Sequence, residues 1–194
     1  ATIDGAKHVV EFDGEYQLDP IFPDAQISTL KKDIYFDAEG YGVRCESYGD
    51  YWGAGACNWW IEFKPLADVG SYYPPENGVD LILDVITTFP DASGGIVGHY
   101  DASGFVDDTN LDPNFRPGVF VSGVRVSAEG HLMGSLYMEY KDDNVINQAP
   151  LTTGTLDVTY NYDGTYTIKL EAYDDDAEQP HKIVVDWTGV PTFV

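Results

Sequence analysis

The sequence predicts an all-β fold, an antiparallel two-sheet sandwich of jelly-roll type with about ten strands. Segments rich in Val, Ile, Thr and aromatic residues recur along the chain, and residues typical of turns separate them. No window combines helical periodicity with capping residues, and the best helix candidate, residues 24–32, would make about two turns. A closed β-barrel is the alternative arrangement of the same strands.

The predicted strands follow one another without an interdomain linker. No stretch rich in Pro, Gly or Ser divides the chain, so residues 1–194 are expected to form a single β-sandwich domain. The hydrophobic content of 43% is sufficient for one substantial core. The predicted strands are residues 43–47, 57–63, 79–87, 95–100, 119–126, 132–140, 156–162, 166–173 and 183–187.

One hairpin register can be derived from its turn. A two-residue turn ending at Gly164 would set apolar residues opposite polar ones. A three-residue loop at 162–164 instead pairs Val158 with Ile168, so the apolar faces agree. Gly164 is then expected in the left-handed conformation of a type I turn followed by a bulge.

The chain is strongly acidic. Its 33 Asp and Glu residues outnumber 10 Lys and Arg residues, which gives a formal net charge of −23. This charge disfavours nucleic acid and anionic membrane surfaces as partners, because their phosphates repel it. No apolar run approaches the length of a membrane helix, and residues 1–14 lack the pattern of a signal peptide. The abundance of Tyr, Thr, Gly and Asp favours an exported protein.

The two cysteines, Cys45 and Cys57, flank a turn-rich segment at 48–55. A hairpin centred on Tyr51 would place Cys45 directly opposite Cys57, close enough for a disulfide in an oxidising compartment. The alternative is a pair of reduced thiols buried as small hydrophobic groups. No His or further Cys completes a metal site around them.

The same hairpin carries the first candidate ligand site. One face of it is apolar, whereas Trp60 lies on the other face beside Asn58, and Tyr51 and Trp52 lie at the tip. Aromatic side chains next to polar groups can stack on the C–H face of a sugar ring while their neighbours bond its hydroxyls. The alternative is that Trp60 is packed beneath another loop or a second sheet.

A second aromatic pair, Tyr72 and Tyr73, precedes two prolines in the segment 71–75. Such a stiff, amphipathic loop suits ligand binding, and it also suits a plain lid over one end of a sandwich. We include both tyrosines among the candidate ligand-binding residues.

The segment 107–112 is the candidate metal site. Asp108, Asn110 and Asp112 have the alternating spacing of the first three ligands in a calcium loop. An EF-hand is excluded, because Pro113 stands where Gly is required and Val119 stands where a bidentate Glu is required. A looser, structural calcium site that shares ligands with another loop remains open, and no other cofactor is expected.

The sequence contains no recognisable catalytic motif. The four histidines are isolated, and neither a G-x-S-x-G elbow nor a phosphate loop is present. Asp80 and Asp84 interrupt an otherwise apolar strand, so they point either into a cleft or towards solvent. We therefore expect a protein that is not an enzyme. A carbohydrate-active enzyme with paired carboxylates is the alternative.

The last strands resemble a hairpin found in exported, lipid-anchored β-sandwich domains of gut Bacteroidetes. Residues 154–170 read GTLDVTYNYDGTYTIKL, an acidic tail follows, and residues 186–189 read DWTG. The early segment Tyr48-Gly-Asp50, followed by Asn58 and Trp59, is similar to that family's first hairpin. The resemblance implies a cell-surface lipoprotein whose anchoring Cys lies upstream of Ala1. Many such domains have no assigned function, and others are accessory glycan-binding or adhesin-like proteins.

These observations together predict a non-catalytic, extracellular or cell-surface binding domain whose partner is a glycan or a cell-surface protein. Stacking on the aromatic residues would supply affinity, and Asn58, Arg44 and Glu62 would bond hydroxyl groups. A structural or adhesin module of an envelope assembly, with no ligand of its own, is a further alternative.

Overall fold

A computed structural model of the chain describes residues 26–88, 95–104, 115–125 and 131–194, and the backbone of two short strands, β1 (Thr2–Ile3) and β2 (Ala6–Lys7). All regular secondary structure in this part of the chain is β-structure, which confirms the all-β class. No helix occurs among these residues, so none is long and apolar enough to cross a membrane.

Twelve strands form one continuous hydrogen-bonded sheet. After β1 and β2, the described strands of the chain are β3 (Ile34–Tyr35), β4 (Tyr41–Gly49), β5 (Ala56–Pro65), β6 (Gly78–Thr88), β7 (Gly98–Ala102), β8 (Val119–Phe120), β9 (Val124–Arg125), β10 (Leu132–Met133), β11 (Leu136–Lys141), β12 (Asn144–Pro150), β13 (Thr153–Tyr160), β14 (Tyr166–Tyr173), β15 (Lys182–Gly189) and β16 (Thr192–Phe193). The order of strands in the large sheet is β16-β4-β5-β6-β8-β7-β13-β14-β15-β3, while β11 pairs with β6 and β12 pairs with β11. A separate hairpin joins β9 and β10.

The sheet is mixed and curled. Three pairings are parallel, namely β15 with β3, β16 with β4 and β7 with β8, where the sequence analysis expected antiparallel pairs throughout. Strand β16 follows β15 after Val190 and Pro191, yet it pairs with β4 at the other end of the strand order. The sheet must therefore curl for its ends to approach. The separate two-sheet sandwich is not confirmed, because hydrogen bonds link all twelve strands.

Two predicted strands are interrupted where they cross. Segment 119–126 divides into β8 and β9, and segment 132–140 divides into β10 and β11. A Cβ atom at Gly123 would collide with the backbone oxygen of Ser135, and one at Gly134, whose φ is +81°, would collide with that of Ser122. The two segments thus approach so closely that only glycine fits, and regular pairing stops there.

The described part of the helix candidate, residues 26–32, is irregular rather than helical. The carboxylate of Asp175 accepts hydrogen bonds from the backbone N–H groups of Ile27 (2.6 Å) and Ser28 (2.8 Å). The N–H of Thr29 donates to the carbonyl of Gln148 (2.9 Å). Bonds to distant residues thus replace the local bonds of a helix in this segment.

The β13–β14 hairpin has the register derived from its turn. Val158 pairs with Ile168, and the N–H of Asn161 donates to the carbonyl of Thr165 across the three-residue loop. Gly164 has a φ of +92°, as expected. The register and the conformation of Gly164 are therefore confirmed. The type I turn is not, because Tyr162 at its first central position has a φ of +49°.

The main hydrophobic core lies between two groups of strands, β4–β6 and β13–β15. Its members include Ile61, Phe63 and Leu83 from the first group, and Leu156 and Ile168 from the second. A smaller core surrounds Phe115, Ile86 and Val121. The Trp52 ring stacks on Phe115 at 4.3 Å between centroids, so this smaller core holds the β4–β5 loop in place.

Candidate functional site

The β4–β5 hairpin presents the two faces that the sequence predicts. Ile61 and Phe63 face the core, whereas Trp60 and Glu62 lie on the opposite face, across from Glu46 and Arg44. The register itself differs, because Cys45 pairs with Ile61 rather than with Cys57, a shift of 61 − 57 = 4 residues. An even shift leaves the assignment of faces unchanged.

Of the two alternatives for the cysteines, the structure has the reduced thiols and no disulfide. Cys45 and Cys57 are both free and buried, as in the reduced-thiol alternative. The glycines at 49, 53 and 55 all have positive φ, and they place the turn around Gly53 rather than Tyr51. Burial raises the pKa of the Cys45 thiol to about 12, so it stays protonated and unreactive at neutral pH.

An open groove of about 570 Å³ lies against the outer face of this hairpin. One wall is a row of aromatic rings in mutual contact. Tyr48 lies 5.2 Å from Trp60 and 6.2 Å from Tyr51 between ring centroids, and Tyr51 lies 4.9 Å from Trp52. The groove is lined by Tyr48, Tyr51, Trp52, Asn58, Trp60, Ile82, Asp84, His131, Leu132, Met133, Gly134, Leu136, Met138 and Gln148.

The opposite wall comes from distant sequence. Strand β11 pairs with β6 so that Leu136 lies beside Ile82, and β10 carries Met133 into the groove. Gln148 from β12 also lines it. The groove therefore combines an aromatic wall with a wall of flexible apolar side chains and one amide.

The polar floor of the groove consists of Asn58 and Asp84, both 2% exposed. The amide of Asn58 donates a hydrogen bond to the Asp84 carboxyl, and Trp60 lies opposite Asp84 across the β5–β6 pair. Burial raises the pKa of Asp84 to about 7, although the hydrogen bonds from Asn58 and Trp60 act against this. Near neutral pH this carboxyl can thus either donate or accept a proton in a hydrogen bond.

The same sheet face continues from the groove into a charged cluster, which consists of Arg44, Glu46, Glu62, Lys64 and Asp80. The guanidinium of Arg44 lies 3.2 Å from Glu62 and 2.5 Å from Glu46. The ammonium of Lys64 lies 3.0 Å from Glu62 and 3.9 Å from Asp80. Every acid of the cluster therefore has a cationic partner.

Tyr72 and Tyr73 cover the charged cluster and do not line the groove. The Lys64 ammonium donates to the backbone carbonyls of Ser71 (3.0 Å) and Tyr73 (3.1 Å). The Tyr72 ring lies over the Arg44 guanidinium at 4.2 Å. The segment is thus a cover, as in the lid alternative, but it lies over the charged cluster on the sheet face rather than over one end of a sandwich. The structure thus gathers four of the eight predicted ligand residues, Tyr51, Trp52, Asn58 and Trp60, into one groove. The other four lie at the charged cluster, where Arg44 and Glu62 pair with each other and Tyr72 and Tyr73 belong to the segment that covers them.

Asp80 and Asp84 do not form a pair within the groove. Asp80 belongs to the charged cluster, where burial and then the Glu62 charge raise its pKa to about 7 while Lys64 lowers it. Its Oδ1 atom is buried and has no hydrogen-bond partner in the described part of the chain. Of the two acids that the sequence singled out on this strand, only Asp84 faces the groove.

The predicted calcium ligands Asp108, Asn110 and Asp112 lie outside the described residues. Within the described ranges, no group of three or more His, Cys, Asp or Glu side chains is arranged to hold a metal ion. The calcium site thus stays a prediction.

Sequence reasoning missed the aliphatic wall and Tyr48. Met133, Leu136 and Gln148 reach the groove through strand pairings between distant segments, for which the sequence contains no local signal. Tyr48 lies on the same face of β4 as Glu46, and its hydroxyl donates to that carboxylate (2.8 Å). The alternation of β4 could have placed Tyr48 beside Trp60.

Comparison with known proteins identifies no relative. The chain matches no protein-family model and no curated protein, and its structure matches no solved structure.

Proposed function

We propose that this domain is a non-catalytic binding module whose groove accepts a sugar ring of an extracellular glycan. The observation that carries the proposal is the contact of an aromatic wall with a hydrogen-bonding floor inside one open groove. A sugar presents the complementary pair of surfaces, because its ring has apolar C–H faces and polar edges.

Each wall has a role in this proposal. Trp60 and Tyr48 offer ring faces against which the sugar packs, and burial of those faces supplies affinity. Asn58, Asp84 and Gln148 offer donors and acceptors for hydroxyl groups. The thioethers of Met133 and Met138 can adjust to the outline of the ligand.

Binding rather than hydrolysis is favoured by the number of carboxyls. Glycosidases typically use two carboxyls on either side of the scissile bond. Among the described residues that line the groove, Asp84 is the one carboxylic acid, and Asp80 is engaged with Lys64. We therefore propose that the groove holds a glycan without cleaving it.

We further propose an extracellular or cell-surface location, with anchoring through a lipidated Cys upstream of Ala1. The support is the likeness of residues 154–170 and 186–189 to lipid-anchored surface domains, together with the acidic composition. Mass spectrometry of the protein purified from its native membrane fraction tests this, since a lipidated N-terminal Cys adds a diacylglycerol mass.

A broad glycan array tests the binding proposal with the wild type, Trp60→Ala and Tyr35→Ala. Tyr35 is 72% exposed on β3, outside the groove, so its variant controls for general loss of an aromatic side chain. We expect the wild type and Tyr35→Ala to bind the same glycans and Trp60→Ala to lose at least about tenfold in affinity. A repeat with a chelator tests the predicted calcium ligands Asp108, Asn110 and Asp112.

Three results would overturn the proposal. A wild type that binds no glycan would favour a protein partner or a structural role in an envelope assembly. Glycan binding that survives in Trp60→Ala would place the site elsewhere, and release of shortened glycan products would show an enzyme.

A further inference from the structure

We propose that the ligand of the groove carries a positively charged ammonium group, which lies between the aromatic wall and Asp84. The inference deepens the proposed function and rests on the same groove: it names the class of glycan as one that bears a cationic substituent.

The first argument is the local charge. Among the described residues that line the groove there is no Lys or Arg, and Asp84 is the single acid. One histidine, His131, also lines the groove, and it is not among the groups that shift the pKa of Asp84. The burial of the Asp84 carboxyl is therefore not offset by a basic side chain of the described part of the groove. Its hydrogen-bond donors, the Asn58 amide and the Trp60 indole, are both neutral. Within the described part of the chain, an ionised Asp84 is thus a buried charge without a cationic partner, which is costly unless a ligand supplies one.

The second argument is the contrast with the charged cluster on the same sheet face. There, Glu62 lies within 3.2 Å of a guanidinium and 3.0 Å of an ammonium, although it is as deeply buried as Asp84. The cations of that cluster are held by its own acids and by the carbonyls of Ser71 and Tyr73. They are therefore not free to neutralise Asp84.

The third argument is the aromatic wall. Four rings in mutual contact, those of Trp60, Tyr48, Tyr51 and Trp52, line one side of the groove. The negative face of such rings attracts ammonium groups, and a cage of rings with an acid beside it is a known way to bind quaternary ammonium. The net charge of −23 attracts a cation and repels an anion on approach.

The test uses two isosteric probes, choline and its neutral carbon analogue 3,3-dimethyl-1-butanol, which differ only in charge. Both are titrated into the intact chain at pH 8, with the indole N–H signals of the tryptophans followed by NMR. This pH lies above the raised pKa of Asp84, so its carboxylate is ionised. Asp84→Asn is the test variant, and Asp186→Asn, an exposed acid outside the groove, is the control.

We expect the wild type and Asp186→Asn to bind choline at least about tenfold more tightly than the neutral analogue. Asp84→Asn should lose this preference, and Trp60→Ala should weaken the binding of both probes. Equal affinity of the wild type for the two probes, or no binding of choline, overturns the inference and needs no variant to fold. A preference that survives in Asp84→Asn also overturns it.

The outcomes separate this inference from the proposed function. Neutral glycans that bind through Trp60 without a preference for choline leave the glycan proposal intact and overturn the cation. A preference for choline without any glycan binding supports the cationic ligand and overturns the glycan proposal.

Discussion

The outer face of β4, β5 and β6 buries acids at both of its ends, yet the partners of these acids differ between the two ends. In the charged cluster, two basic side chains, Arg44 and Lys64, pair with the three acids Glu46, Glu62 and Asp80, and the segment 71–73 closes over them. At the groove, Asp84 has an amide and an indole as its partners and lies beside open space. At the first end every acid has a basic partner, whereas at the second the acid has neutral partners and lies beside open space.

The comparison indicates that the two ends of this sheet face have different roles. Burying an ion pair removes its charges from water, and the attraction between the charges must offset that loss of solvation. The charged cluster therefore fixes the alignment of its strands more than it adds net stability. An unpaired buried acid destabilises the empty protein, and natural proteins retain such groups where a ligand or a reaction uses them. The predictions below test whether the two ends differ in this way.

The largest effect is expected from Lys64→Met in the charged cluster. The variant leaves Glu62 and Asp80 with one cation fewer and the carbonyls of Ser71 and Tyr73 without their donor. We expect the free energy of unfolding in urea to fall by about 3–5 kcal/mol. Lys169→Met, which removes an exposed pair with Asp186 at 3.3 Å, is the control and should cost at most about 1 kcal/mol.

Equal losses in the two lysine variants would contradict the view that the cluster is a buried, mutually dependent network.

The pH dependence of stability probes the groove end. The pKa of Asp84 is raised from 3.8 to about 7, so the folded protein binds this proton more tightly than the unfolded chain does. Its contribution to stability is then full below about pH 4 and declines as the pH rises towards 7. Asp84→Asn removes that decline. Relative to the wild type, the variant should gain roughly 2–4 kcal/mol between pH 4 and 8 in urea titrations at each pH.

The charged cluster is present in both proteins, so its contribution cancels in the difference. A difference in stability that does not change with pH would show that Asp84 is solvated or already neutralised.

Tyr72 tests the assignment of the segment 71–73 as a cover. Tyr72→Leu removes the ring over the Arg44 guanidinium, and the ring is 71% exposed. We expect a loss of about 0.5–1 kcal/mol in thermal or urea unfolding and unchanged affinity in the glycan array. Tyr73→Leu, at 79% exposed, should lower stability less. Weakened glycan binding in either variant would restore these tyrosines as a ligand site.

Local chemistry determined how much of this molecule could be predicted from the sequence. The β13–β14 register followed from the turn at Gly164 and from the match of apolar faces, because both signals lie within one short segment. The β4–β5 faces were also correct, although glycines 49, 53 and 55 allowed more than one turn position and the register was displaced by an even number of residues.

Long-range pairing accounts for what the sequence analysis missed. The second wall of the groove depends on the pairing of Met138 with Asp80 and on the tight crossing of Gly123 and Gly134. These contacts join segments far apart in the chain. The local sequence around an acid flanked by apolar residues is the same whether its side chain pairs with a lysine or faces an open groove. Only the assembled sheet distinguishes Asp80 from Asp84.

The smallest effect concerns salt, and it separates buried from exposed charge. Lys169→Met makes the net charge one unit more negative than −23, so at low salt it should add self-repulsion to the loss of its exposed pair. At about 0.5 M salt the screening length falls to a few ångströms. The loss of stability caused by Lys169→Met, at most about 1 kcal/mol, should then vanish. Lys64 is shielded from ions by the segment 71–73, so the cost of Lys64→Met should persist. Urea unfolding at low and high salt gives the stability loss of each lysine variant, relative to the wild type, under both conditions. If the Lys64→Met cost also disappeared in high salt, the charged cluster would be open to solvent, and its contrast with the groove would lose its basis.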